Sequence, residues 1–162
     1  MPFGQMETGA FAGAAALAER FGDGTLRLTP WRSLMIVNVT LQEMAELARL
    51  GQELGFITDA SDRRLAITTC PGSPACTSAA AATRTDAAFL AASDLPLPAL
   101  LHIAGCAKGC AHPRAAPVTF VGQPDGYDIV LDGRADATPR LRGLTIREAS
   151  QFLASPTMQK KR

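Results

Sequence analysis

The sequence contains no run of 18 or more apolar residues, which argues against a membrane-spanning helix. Its 16 basic and 15 acidic residues leave a formal net charge of +1, so it lacks the basic field that nucleic-acid binding requires. It also lacks an internal repeat, a glycine-rich phosphate-binding loop and a recognisable nucleophile arrangement of Ser, Asp and Glu. We therefore expect neither a membrane protein nor a nucleic-acid-binding protein.

The 162 residues are 47% hydrophobic and 19% charged, which is typical of a globular protein with one medium domain or two small ones. An alanine-rich stretch near the N-terminus follows Glu7 and no basic residue, which favours a helix over an export signal. We therefore expect a cytoplasmic protein. In that reducing compartment its four cysteines are expected to be metal ligands or catalytic thiols rather than disulfides.

Residues 1–60 predict a small unit of two helices and two strands. Apolar residues recur at helical spacing over Thr8–Phe21, and two glycines follow that can end the helix. Residues 25–30 and 33–39 predict strands because they are dense in apolar side chains. A Thr-Leu-Gln-Glu capping box then opens a second helix over residues 40–54.

Residues 61–162 predict a second unit that contains all four cysteines. "LAITT" predicts a strand that runs into Cys70, residues 77–92 predict a helix, and "LPLPALLHIAG" predicts a strand that ends at the second cysteine pair. "PVTFVG" and "YDIVLDG" predict a β-hairpin around "QPDG". A capping box opens a last helix over residues 145–154. The whole pattern indicates an α+β protein.

The cysteines form two pairs, Cys70-x5-Cys76 and Cys106-x3-Cys110, each in a loop rich in glycine and proline or alanine after a predicted strand. Small residues let the backbone wrap a compact inorganic core and turn its N–H groups toward sulfur. Four thiolates suit zinc or an iron–sulfur cluster. The five-residue spacing is wide for structural zinc and favours a cluster, while zinc and unliganded thiols stay open as alternatives.

"TTCPGSPACTSA" followed by "HIAGCAKGCAHP" resembles the iron–sulfur signature of the sulfite and nitrite reductase superfamily, whose two cysteine pairs hold one [4Fe–4S] cluster. The sirohaem enzymes of that superfamily usually carry Asn where this chain has Lys108. "GCAKGCAHP", "PFGQM", "LAERFGDGTLRLTPWRSL" and "DGYDIVLDGRA" instead resemble the precorrin-3B synthase family. The resemblance implies a ferredoxin-like half-unit (residues 1–60) followed by a [4Fe–4S] cluster domain (residues 61–162).

The same resemblance implies a monooxygenase that uses O₂ and an electron donor to convert precorrin-3A to precorrin-3B in aerobic cobalamin biosynthesis. It extends over only the C-terminal half of that family, so we expect the chain to need a complementary N-terminal half for activity. Beside the cluster, it leaves open a mononuclear non-haem iron. Two alternatives remain: a fragment of a sirohaem-dependent sulfite or nitrite reductase, which binds that haem, and a non-catalytic cluster-binding half-protein.

By this resemblance the four cysteines are the cluster ligands, and no catalytic group is identified. Arg27, Thr29 and Arg32 lie in a stretch similar to those that contact tetrapyrrole carboxylates, and the paired N–H donors of arginine suit carboxylates. Lys108 lies inside the second cysteine loop, where it can offset the negative charge of a cluster or bind a substrate carboxylate. His112 is a weaker candidate, as a ligand for a mononuclear iron.

Overall fold

The chain contains both helices and strands, and several strands follow one another directly, as in an α+β protein. The computed structural model describes residues 1–159, and residues 160–162, the end of the predicted cluster domain, lie outside the described residues. The chain divides into a first unit, Met1–Asp62, and a second unit, Arg63–Arg162.

The first unit is built from two helices and a two-stranded antiparallel sheet. Helix α1 (Thr8–Phe21) has the predicted bounds and ends where the Gly22 N–H donates to the Ala18 carbonyl at 3.0 Å. Strands β1 (Leu26–Leu28) and β2 (Leu34–Ile36) pair in antiparallel register, and helix α2 (Met44–Glu53) follows them. A 3₁₀ turn, Pro2–Gly4, precedes α1.

Two predicted elements of the first unit are shorter than expected. The strand predicted over residues 33–39 is confined to Leu34–Ile36, because Asn38 adopts a left-handed φ of 62° that breaks the extended backbone. The second helix begins at Met44, four residues after the predicted start. The Thr40 hydroxyl donates to the Glu43 carboxylate at 2.6 Å, and residues 41–43 form a turn instead of the first helical turn.

The core of the first unit is small. Its buried apolar side chains within the described residues are Ala14, Ala18 and Phe21, all on α1. A cavity of about 300 Å³ lies between α1, the β-hairpin and α2 and has a mostly apolar lining. Leu28 and Trp31 in the hairpin are 76% and 82% exposed. A sheet of only two strands is marginal by itself, so this unit leaves much apolar surface uncovered.

The second unit is built around a five-stranded mixed sheet in the order β3-β4-β5-β6-β7. Strands β3, β4 and β5 are parallel, whereas β6 and β7 are antiparallel to their neighbours. Helix α3 connects β3 to β4, and two helices follow the sheet. The elements are a 3₁₀ turn Arg63–Ala66, β3 (Ile67–Thr69), α3 (Thr83–Ala92), β4 (Leu101–Ala104), β5 (Ala116–Gln123), β6 (Gly126–Gly133), β7 (Leu141–Leu144), α4 (Ile146–Ala154) and α5 (Pro156–Gln159).

Most predicted elements of the second unit are present. The hairpin of β5 and β6 turns at Pro124-Asp125, and the predicted capping box starts α4, where Thr145 and Glu148 bond each other's backbone N–H. Helix α3 begins at Thr83 rather than near residue 77, because residues 77–82 continue the first cysteine loop. Strand β7 was not predicted.

Candidate metal centre

The two cysteine loops leave the sheet at the same edge. Cys70 directly follows β3, and Cys106 lies two residues after the end of β4. These strands are parallel neighbours, with Thr69 paired opposite Ile103. Because the carboxyl ends of parallel strands share one edge of a sheet, both loops begin side by side. The pairing of β3 with β4 thus brings together the two cysteine pairs, which are separated by 29 residues in the sequence.

Direct hydrogen bonds join the two loops. The Gly105 N–H donates to the Cys70 Sγ at 3.3 Å, and the Gly105 carbonyl accepts from the Ala80 N–H at 2.8 Å. Farther out, the Lys108 Nζ donates to the Ser78 Oγ at 3.0 Å. A backbone N–H that points at sulfur stabilises the thiolate, which is the form that binds metals.

Two glycines allow this close approach. A Cβ on Gly105 would lie 2.6 Å from the Cβ of Ala79 and 3.4 Å from the Cys70 Sγ. Gly72, inside the first loop, has a φ of 69°, and a Cβ there would lie 2.4 Å from the Thr83 Oγ1. At these two positions a residue larger than glycine would collide with neighbouring atoms, as expected for small residues around the cysteines.

Hydroxyl groups from the end of β3 and the start of α3 contact Cys70. The fully buried Thr83 donates its hydroxyl to the Cys70 carbonyl at 2.8 Å, and its oxygen lies 3.9 Å from the Cys70 Sγ. The Thr69 hydroxyl donates to the same carbonyl at 3.1 Å. Cys76 and Cys106 are half-buried like Cys70, whereas Cys110 is exposed. The cysteines thus range from a half-buried residue with a hydrogen-bonded sulfur to an exposed one.

A buried tyrosine is anchored to the same helix. The Tyr127 hydroxyl, on β6, donates to the Asp86 carboxylate in the first turn of α3. Burial raises the pKa of Tyr127 well above its usual range, and the hydrogen bond and negative charge of Asp86 add to this effect. Tyr127 therefore stays a neutral donor that fixes α3, and with it Thr83, against the sheet.

The two histidines lie beneath the second cysteine loop. His102 is fully buried on β4, and its ring meets that of His112 edge to face with centroids 5.7 Å apart. The His112 Nε2 lies 3.3 Å from the Ala115 carbonyl oxygen, a contact it makes as a donor. The contact occupies one of the two ring nitrogens of His112, and iron ligation by this residue stays a prediction.

The three other predicted binding residues belong to the first unit. Thr29 organises the β1–β2 turn, since its hydroxyl oxygen lies 2.6 Å from the Ser33 Oγ and accepts from the Trp31 N–H at 3.3 Å. Arg27 is exposed on β1, and Arg32 is half-buried with a left-handed φ of 58°. The structure therefore gives Thr29 a folding role, while substrate contact by all three residues stays a prediction.

The residues present fit a metal group by their chemistry. Four thiols stand in two joined loops, and one sulfur already accepts a backbone N–H. Among residues 1–159, no three His, Cys, Asp or Glu side chains approach closely enough to hold a single ion. Four thiolates are also the donor set of a four-iron cluster, which places one thiolate on each iron.

Residues 1–54 match the family described as "Nitrite/Sulfite reductase ferredoxin-like half domain". The chain is 34% identical to a precorrin-3B synthase of Sinorhizobium sp over 145 residues, which cover 86% of this chain and 31% of the relative. The resemblance to this superfamily is thereby confirmed. The chain is also 30% identical to a sulfite reductase [NADPH] hemoprotein beta-component 2 of Klebsiella pneumoniae, over 80% of this chain and 25% of that protein.

A solved structure of the Mycobacterium tuberculosis NirA protein superposes with a TM-score of 0.72 at 24% identity, over 90% of this chain and 31% of that one. The predicted fold, a ferredoxin-like half-unit followed by a domain of the sulfite and nitrite reductase type, is confirmed by these matches. The chain spans less than a third of the length of these relatives. Among the described residues, no helix is both long enough and apolar enough to cross a membrane.

Sequence reasoning missed the groups that support the cysteines. Ser78, Thr83 and the pair of Asp86 and Tyr127 carry no motif, and each contacts a partner that is at least 13 residues away in sequence. These partners meet only in the folded unit, through the pairing of β3 with β4 and the position of α3 against the sheet. No capping signal marks the start of α3, because its N-cap residue is Ala82, and the hydroxyl of the following Thr83 bonds the Cys70 carbonyl.

Proposed function

We propose that this chain is the cluster-bearing part of a precorrin-3B synthase-like oxidoreductase and holds one [4Fe–4S] cluster on its four cysteines. The observation that carries the proposal is the Gly105 N–H bound to the Cys70 sulfur where the two loops meet. The similarity to precorrin-3B synthase supports the choice of enzyme. Lys108 supports it too, since it stands where the sirohaem enzymes usually carry Asn.

The ligands in this proposal are Cys70, Cys76, Cys106 and Cys110. Such a cluster supplies one-electron transfer when bound. The chain's own groups would shape the surroundings of the cluster: the Gly105 N–H donates to the Cys70 sulfur, the Thr83 hydroxyl holds the Cys70 carbonyl, and Lys108 adds a positive charge at the rim of the loops. Arg27 and Arg32 would hold carboxylate arms of the tetrapyrrole through paired N–H donors.

The proposed reaction is the O₂-dependent oxidation of precorrin-3A to precorrin-3B, with electrons from a separate donor. A complementary ferredoxin-like half is the proposed partner, since the first unit has a two-stranded sheet and a hairpin whose Leu28 and Trp31 are exposed. A tetrapyrrole pocket built from both halves would need that partner, because a positional error of about 1 Å can cost on the order of a hundredfold in rate.

Anaerobic purification followed by iron, sulfide and zinc analysis and electron paramagnetic resonance tests the cluster. We expect about four irons and four sulfides per chain. Serine at any one of the four cysteine positions should remove or destabilise the cluster. The matched control is Ala75→Ser, which adds a hydroxyl to the first loop and keeps every thiol. A full complement of zinc without iron would refute the proposal.

Turnover separates the enzymatic alternatives. The loaded chain is incubated with precorrin-3A, O₂ and a reductant, with and without a separately produced N-terminal half. We expect precorrin-3B only when both halves are present. Sulfite or nitrite reduction after sirohaem loading would instead identify a fragment of a sirohaem enzyme. Absence of every reaction with both halves present would leave a non-catalytic cluster-binding protein.

A further inference from the structure

A single ammonium group bridges the outer ends of the two cysteine loops. Lys108 lies midway between Cys106 and Cys110, and Ser78 lies two residues after Cys76. The Lys108 Nζ donates to the Ser78 Oγ at 3.0 Å, and both residues are exposed. Lys108 is the only lysine among residues 1–159, where every other basic side chain except the two histidines is an arginine.

We propose that Ser78 is a positioning residue that holds the Lys108 ammonium at the rim of the cysteine loops. There the fixed charge raises the reduction potential of the bound cluster, and the link between the loops slows cluster loss. This inference rests on the proposed [4Fe–4S] cluster and adds to it a residue that tunes the site.

The electrostatic part follows from the charge of the cluster. A cluster with four thiolate ligands is anionic, and reduction by one electron makes it more negative by one unit. A nearby positive charge therefore favours the reduced form and raises the potential. An ammonium is a compact point charge, so its effect depends on where it is held.

The positioning part follows from the flexibility of lysine. A four-carbon stem in solvent samples many rotamers, and fixing it costs side-chain entropy. The Ser78 hydroxyl offers an acceptor in the facing loop, and this acceptor selects the conformers that hold the charge between the two cysteine loops. The same bond holds the ends of the two loops together, since Ser78 and Lys108 are 30 residues apart in sequence.

Redox titration of the anaerobically loaded chain tests the electrostatic part. At a fixed poise, Lys108→Met should lower the ratio of reduced to oxidised cluster about threefold, which equals about 28 mV for one electron. Lys108→Arg should retain most of the potential. The matched control is Arg140→Met, which removes the same charge from an exposed residue before β7 and should leave the ratio unchanged. High salt should shrink the Lys108→Met effect.

Ser78→Ala tests the positioning part. It should shift the ratio in the same direction as Lys108→Met by a smaller amount, and the double variant should match Lys108→Met alone. Both single variants should lose the cluster faster in air than Arg140→Met. Equal potentials in all variants, or a Ser78→Ala shift that persists in the Lys108→Met background, would overturn the inference. Absence of iron from the unmodified chain would instead refute the proposed cluster.

If a variant fails to take up the cluster, the reactivity of the amine replaces the titration. Lys108 acetylation by an amine-reactive ester is followed by peptide mass spectrometry against a reference peptide in the same tube. An amine held as a hydrogen-bond donor is less nucleophilic, so Ser78→Ala should increase the rate at Lys108 at least about twofold. If the acetylation rate at Lys108 is the same in Ser78→Ala as in the unmodified chain, the positioning role is overturned.

Discussion

The backbone N–H of Gly105 donates to the sulfur of Cys70 across 3.3 Å, and this bond joins the ends of two parallel strands. Through this bond, the two paired strands hold the two cysteine loops of the candidate metal centre together. The Cys70 end of the candidate centre is therefore supported by the sheet and by the start of helix α3.

Gly105→Ala should disrupt the centre. The added Cβ would lie 2.6 Å from the Cβ of Ala79, so one loop must move and the bond to the Cys70 sulfur must lengthen. We expect a loss of about 1–3 kcal/mol in the free energy of unfolding and clearly reduced iron retention. Urea unfolding and iron analysis measure the two effects. Gly9→Ala is the control, because a Cβ on Gly9 contacts nothing within 4 Å.

Thr83→Val should weaken the Cys70 end of the centre while it preserves side-chain shape. It removes the hydroxyl donor to the Cys70 carbonyl and the oxygen 3.9 Å from the sulfur. We expect a loss of about 1 kcal/mol in stability and faster cluster loss in air. Thr83→Ser keeps the hydroxyl and should retain the cluster at nearly the original rate. Equal rates for Val and Ser would assign Thr83 to packing alone.

Tyr127 should make the stability of the chain fall at alkaline pH. Burial first, and then the bond to Asp86, raise the pKa of this tyrosine in the folded state, so the unfolded chain releases its proton at lower pH. The stabilisation is complete below about pH 10 and is lost above it, by about 1.4 kcal/mol per pH unit.

Tyr127→Phe should abolish this component of the slope and cost about 1 kcal/mol at neutral pH through the lost hydrogen bond. Urea unfolding between about pH 8 and 12 measures both effects. Because Tyr127 is the only tyrosine in the chain, the ultraviolet absorbance of tyrosinate reports its ionisation directly. Ionisation of the folded chain near its ordinary pKa would contradict the buried arrangement.

Arg27→Ala should weaken binding of a carboxylate-rich tetrapyrrole about tenfold. A charge-assisted hydrogen bond contributes roughly 1.5–3 kcal/mol, and Arg27 is exposed on β1, so its loss leaves the fold intact. Arg32→Ala should act similarly, and lysine at either position should restore only part of the loss. Fluorescence titration with the complementary half present measures the affinity. Arg49→Ala is the control, since that arginine pairs with Glu53 on the surface of α2.

Most helices and strands and the two cysteine loops could be predicted from the sequence, because they depend on local patterns. The hairpin around Pro124-Asp125 and the helix at Thr145 follow from turn and capping chemistry next to apolar runs. Strand β7 escaped prediction because only the first and last of its four residues are apolar and Gly143 has a φ of 65°. The support of Cys70 by Gly105 and of Lys108 by Ser78 is tertiary, and no local pattern encodes it.

The pairing of β3 with β4 also sets the order of biogenesis. Cys76 leaves the ribosome 30 residues ahead of Cys106, and the parallel strands can join only after the α3 segment has been synthesised and has crossed over. Until then Cys70 and Cys76 form an isolated pair that can be oxidised or can capture a stray metal. Assembly of the centre is thus a late event in the life of the nascent chain, and it depends on how fast this one strand pair forms.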